Sequence, residues 1–184
     1  MVVLSVSHVA AKEGRCAVKV ADVSDFWCGQ KHIEILDPNI TACKEKRDLF
    51  RQYMETGATL NFNQGLDIRL IDDADIEDLN RMRIKNLHFA WDNPKDNLEQ
   101  KFRNFKEKYR RKHLGTVYIL TNFGSSMEEN LYRIQTTAAM GFDPYVMVYD
   151  KPNAPKEIKD LQRWCNNKII FKSCKRFEDY KKGR

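Results

Sequence analysis

No run of apolar residues approaches the roughly 18 needed to cross a bilayer, so no membrane-spanning helix is expected. The opening MVVLSVSHVAAKEGR is apolar for only a few residues, with no basic region before them, which argues against a secretory leader. Cysteine is scarce and odd in number: Cys16, Cys28, Cys43, Cys165 and Cys174 are widely spaced and form no CxxC pair. That pattern disfavours a disulfide framework and a metal site built from neighbouring thiolates, and it predicts free thiols in a reducing cytoplasm. The histidines His8, His32, His88 and His113 are scattered rather than clustered. There is no GxGxxG after a strand and no GxxxxGK[ST], which disfavours phosphate binding through those loops. GxSxG, HExxH and EF-hand patterns are missing as well.

What is present fits a globular chain: 184 residues, 42% hydrophobic and 32% charged, enough for a substantial core. The net charge of +6 is concentrated in Lys101, Arg103, Lys106, Lys108, Arg110, Arg111 and Lys112, and again in the tail KSCKRFEDYKKGR. Such a balance permits nucleic-acid binding. The plainer reading is a solvated helix face. Phe102, Phe105 and Tyr109 recur at helical spacing, which suits a buried stripe better than a stacking platform.

The stretch Thr59 to Asp72, TLNFNQGLDIRLID, organises the pattern. It crowds Asn61, Asn63, Gln64, Asp67 and Arg69 among Leu60, Phe62, Leu66, Ile68 and Leu70. Buried amides and charges need partners, since an unpaired one costs about 1–3 kcal/mol. A strand lining a binding cavity would supply them. A strand whose polar groups bond to one another and to nearby loops is the structural alternative. Gly65 marks a bulge or a close backbone approach.

The segments around it alternate. Met1 to Val6 predicts a short strand, Lys12 to Gly14 a turn, and Ala21 to Trp27 a short helix. Strands are then expected from near residues 32, 59, 86, 116, 145 and 168. The helices between them span about 41–56 with Thr41 as N-cap and Gly57 as terminator, 73–83, 98–113, 126–141 opened by a Ser126/Glu129 capping box, and 153–164 capped by Asn153. This period predicts an α/β fold of parallel βα repeats, either a doubly wound sheet or a partial (β/α)6 TIM-like barrel. Three units follow: an N-terminal segment 1–30, a barrel 31–172 and a basic tail 173–184.

Asp37, Asp92, Asn122 and Asp150 each stand where a strand runs into a Pro- or Gly-containing turn. Singly such residues are turn chemistry; together they suggest a polar rim at the strand carboxyl ends, where parallel α/β folds place their sites. His88, Ala90 and Asp92 share one strand face, a small polar surface suited to a barrel lumen. That rim tilts the reading toward the barrel.

The order LDPNI, LNFNQGLDIRLI, LHFAWDNP, YILTNFG and YVMVYD resembles the barrel of radical S-adenosylmethionine proteins over residues 31–172, most specifically in FNQGLDIRL. The resemblance implies a six-stranded partial barrel that holds S-adenosylmethionine and a [4Fe–4S] cluster bound through CxxxCxxC. By position it assigns Asp37 to Asn39 to the methionine amino group and Asp92 to the ribose. It assigns Tyr118 to Gly124 with Tyr145 to Tyr149 to the adenine. Asn63, Gln64, Asp67 and Arg69 would line the site from the third strand.

The chain departs from that family at the cluster. SHVAAKEGR resembles the stretch after the last cluster cysteine, which puts the last two cysteine positions at Ser7 and Leu4 and the first before Met1. Ligation needs thiolates at fixed spacing, so the expectation is a truncated or cluster-free form that does not cleave the cofactor reductively. The alternative function is a non-redox module for a nucleotide or nucleic acid. Without the family's first strand, the edge at His32 to Leu36 should be covered by Met1 to Val6 or by a homodimer partner.

Overall fold

Short apolar alternations flanked by turns generate the strands of this α/β protein, and capped amphipathic segments generate its helices. The computed structural model describes residues 2–3, 6–11 and 14–182. They fall into two compact units, Met1–Ala90 with Leu98–Gly115, and Trp91–Asn97 with Thr116–Arg184. The stretch 31–172 is therefore distributed over both.

In unit one, β1 (Val2–Val3) is followed by an antiparallel hairpin of β2 (Val6–Ala11) and β3 (Gly14–Lys19). The expected turn at Lys12 and Glu13 lies outside the described residues. A 3-10 turn at Val23–Asp25 stands where a short helix was expected. Next come β4 (His32–Ile35), β5 (Thr59–Phe62) and β6 (Arg83–Asn86), which join β1 in a parallel sheet of order β1-β4-β5-β6. Val2 and Val3 pair with Glu34 and Ile35, so the β4 edge is covered by the chain's own N-terminal strand over two residues.

Ile33, Ile35, Leu60 and Phe62 are buried. α1 (Lys46–Glu55) buries Leu49, Phe50 and Tyr53, with Phe50 edge-on to Phe62 at 6.3 Å. α2 (Asp73–Arg81) opens with a reciprocal box in which Asp75 N–H donates to Asp72 (2.9 Å) and Asp72 N–H to Asp75 (3.0 Å). β7 (His88–Ala90) and α3 (Glu99–Lys108) complete the unit, and Phe89 packs edge-on against Phe102 and Phe105. The Phe102/Phe105/Tyr109 stripe is buried as its spacing predicted.

Three expectations fail here. The organising stretch is a strand only through Phe62. Beyond it the chain bends and makes a 3-10 turn at Ile68–Leu70, because the Asp67 side chain accepts from Arg69 N–H and diverts the backbone. Thr41 does not cap α1. Its hydroxyl donates to Asn39 (2.5 Å) and accepts from Asp67 N–H (3.0 Å), which leaves a separate 3-10 turn at Ile40–Ala42. β6 was not expected, since RIKN carries too few apolar residues to signal a strand; its register with β5 makes it one.

In unit two, β8 (Thr116–Thr121) and β9 (Asp143–Val148) pair in parallel from Thr116 opposite Asp143 to Thr121 opposite Val148. α4 (Met127–Met140) between them carries the expected Ser126/Glu129 box and ends at Gly141 with φ +94°. α5 (Lys156–Asn166) starts after Pro155. Asn153 caps nothing and instead donates to Asp150. The expected strand at Lys168 to Phe171 is α6 (Lys168–Ser173). The Asn167 side chain accepts from Ile169 and Ile170 N–H and nucleates a helix that so short an apolar run could not reveal. In α7 (Phe177–Lys182), Phe177 is buried against Trp164 at 5.5 Å, so the basic tail is anchored.

No helix among the described residues is long and apolar enough to cross a membrane.

Candidate functional site

The parallel pairing of β4 with β5 sets Glu34 opposite Asn61. Their neighbours Ile33, Ile35, Leu60 and Phe62 point to the opposite face, so the polar pair is placed by the period of two. Glu34 Oε2 accepts from Asn61 Nδ2 at 2.5 Å and from Asn63 Nδ2 at 2.6 Å, and Asn61 Nδ2 is also 2.9 Å from Asn63 Oδ1. A carboxylate only accepts, so Asn61 must turn its NH2 toward Glu34. That orientation leaves Asn61 Oδ1, in a side chain only 8% exposed, with no hydrogen-bond partner among the described residues. A buried acceptor of this kind calls for a donor.

A second chain of contacts joins the segment after β4 to the bend after β5. Asn39 receives the Thr41 hydroxyl, Thr41 receives Asp67 N–H, and Asp67 receives Arg69 Nε at 2.8 Å and Nη2 at 2.7 Å. Burial pushes the Asp67 carboxyl up, but the Arg69 hydrogen bonds outweigh it and hold the group below the usual carboxylate range. Asp37 is 3% exposed after β4, whereas Gln64 is exposed in the bend. His88 Nδ1 lies 2.6 Å from the Phe62 carbonyl, and since a carbonyl only accepts, Nδ1 is the donor there. Leu66 N–H donates to the His88 carbonyl at 2.7 Å, which brings the bend after β5 onto β7.

No family model, curated protein or solved structure matches this chain. The residues alone therefore carry its functional reading.

Unit two holds the other three rim residues. Asn122 and Asp150 adopt left-handed backbone, φ +61° and +46°, which their short polar side chains tolerate. Asn122 Nδ2 donates to the Tyr149 carbonyl at 2.9 Å. Asp92 is exposed, and its carbonyl is held by Arg133 Nη1 at 2.9 Å. Arg133 is fully buried and also donates to the carbonyls of Trp91 (2.6 Å) and Leu120 (3.0 Å) and to Asn130 (2.7 Å). Burial lowers its pKa, against the raising effect of Asp92 and Glu129.

Asp37, Asn39, Asn63, Gln64, Asp67, Arg69 and His88 thus belong to unit one, and Asp92, Asn122 and Asp150 to unit two. Glu34 and Arg133 were missed. A lone acid inside HIEIL, opposite an amide-rich strand, was the available signal for Glu34. Arg133 gives none, because an arginine in a helix reads as solvated. The buried thiols are not activated: burial pushes Cys165 up to about 12 and raises Cys43. No cluster of three metal-ligating side chains occurs among the described residues.

Proposed function

We propose that the chain binds S-adenosylmethionine on a scaffold of the radical S-adenosylmethionine type without cleaving it reductively. The observation carrying this reading is the buried Asn61 Oδ1 beside the Glu34 carboxylate. An alkylammonium such as the methionine amino group brings N–H donors to the unpaired oxygen and positive charge to the carboxylate. In this reading the parallel βα units belong to a partial (β/α)6 barrel, and Asp37 and Asn39 border the amino-acid end of the ligand.

The nucleoside end is assigned by resemblance, with Asp92 on the ribose. When bound, the cofactor supplies a sulfonium-activated carbon. The [4Fe–4S] cluster does not fit these residues, because positions 4 and 7 are Leu and Ser and neither side chain is a thiolate.

Calorimetric titration with S-adenosylmethionine tests the proposal. Saturable binding weakened by Asp92→Ala is expected; heats indistinguishable from dilution would end it. A titration in which binding persists but Asp92→Ala leaves affinity unchanged would remove the ribose assignment alone.

A further inference from the structure

Unit one contains a cavity of about 340 Å³ where the end of β6 meets the chain after α3, lined by Lys85, Asn86, Tyr109, Arg111, Lys112 and His113 among others. Its cations differ from those nearby. Lys108 is paired with Asp73 at 2.6 Å, Arg110 with Glu77 at 2.8 Å, and Arg103 with Glu99. Lys85, Arg111 and Lys112 form no ion pair among the described residues. Arg111 is half-buried and held in place, since Nη2 donates to the Met82 carbonyl. Its Nε is enclosed and has no acceptor.

An enclosed guanidinium donor without an acceptor is costly, and a bound anion would relieve that cost. The planar fork of arginine matches the paired oxygens of a phosphate. At about 340 Å³ the cavity stands at the small end of the range of roughly 300–1,000 Å³ seen for small-molecule sites. That volume suits one compact ligand and not a nucleic-acid strand. We propose that this cavity binds the phosphate monoester of a small metabolite, anchored by Arg111 with Lys85 and Lys112 adding charge. The proposal is independent of S-adenosylmethionine binding.

The test is titration of the full chain with ribose 5-phosphate, with ribose and with a short single-stranded DNA oligonucleotide. Ribose 5-phosphate should bind saturably, and ribose should bind at least roughly tenfold more weakly, as expected for loss of charge-assisted hydrogen bonds. Arg111→Gln should abolish this preference. Lys112→Ala, an exposed position, should weaken ribose 5-phosphate several-fold in a chain with an unchanged urea midpoint. Equal binding of ribose and its phosphate, or no effect of Lys112→Ala, would overturn the proposal. Binding of the oligonucleotide alone would also overturn it and make these cations part of a strand-binding face.

Discussion

Asn61 Nδ2 lies 2.5 Å from Glu34 Oε2, and the two residues are direct partners in the parallel β4/β5 pair. Glu34 thereby accepts from the NH2 groups of both amides that Asn61 and Asn63 place at this end of the sheet. Glu34→Ala leaves both without their carboxylate acceptor. The expected cost is about 1–3 kcal/mol, read as a lower urea midpoint with an unchanged slope.

Arg133 organises unit two in the same sense from the opposite charge. It joins the backbone after β7 to β8 and α4 through the carbonyls of Trp91, Asp92 and Leu120 and the Asn130 side chain. Arg133→Met keeps the length of the side chain but strands these buried acceptors. A loss of about 3–5 kcal/mol is expected in chemical denaturation. Arg133→Lys should recover little of it, since one ammonium cannot reproduce the fork.

Acid should weaken the tie between Lys19 at the end of β3 and Asp48 on α1. Lys19 and then Arg51 hydrogen-bond to Asp48 and hold its carboxyl down to about 2, and Lys19 also lowers Asp22. The folded pKa of Asp48 is below its unfolded value of about 3.9. Its contribution is therefore present above about pH 4 and lost as pH falls toward 2. The Asp48 side chain is 37% exposed, so the contribution is under about 1 kcal/mol. Urea midpoints measured from about pH 5 to 2.5 should fall, and Lys19→Met should flatten part of that fall.

The legible parts of the fold were those written in local chemistry. The strand at Thr116–Thr121, the Ser126/Glu129 box and the Gly141 stop all follow from alternation and capping. β6 and α6 were illegible for opposite reasons. β6 is too polar to signal a strand and exists through its register with β5, while the apolar Lys168–Phe171 run turns helical through a single cap at Asn167. At the site, the crowding of amides near Asn61 showed that partners were needed. Which residue supplied them depended on strand register, a relation between segments 27 residues apart.

The most direct measurement compares S-adenosylmethionine with 5′-methylthioadenosine, which lacks the amino-acid end, on the chain and on its Glu34→Gln variant. Gln retains an acceptor for the two amides and removes only the charge. The account expects Glu34→Gln to weaken S-adenosylmethionine by roughly tenfold while leaving 5′-methylthioadenosine unchanged. Equal affinities of the two proteins for S-adenosylmethionine, or an equal loss for both ligands, would contradict the assignment of the Glu34–Asn61 site to the ammonium end of the cofactor.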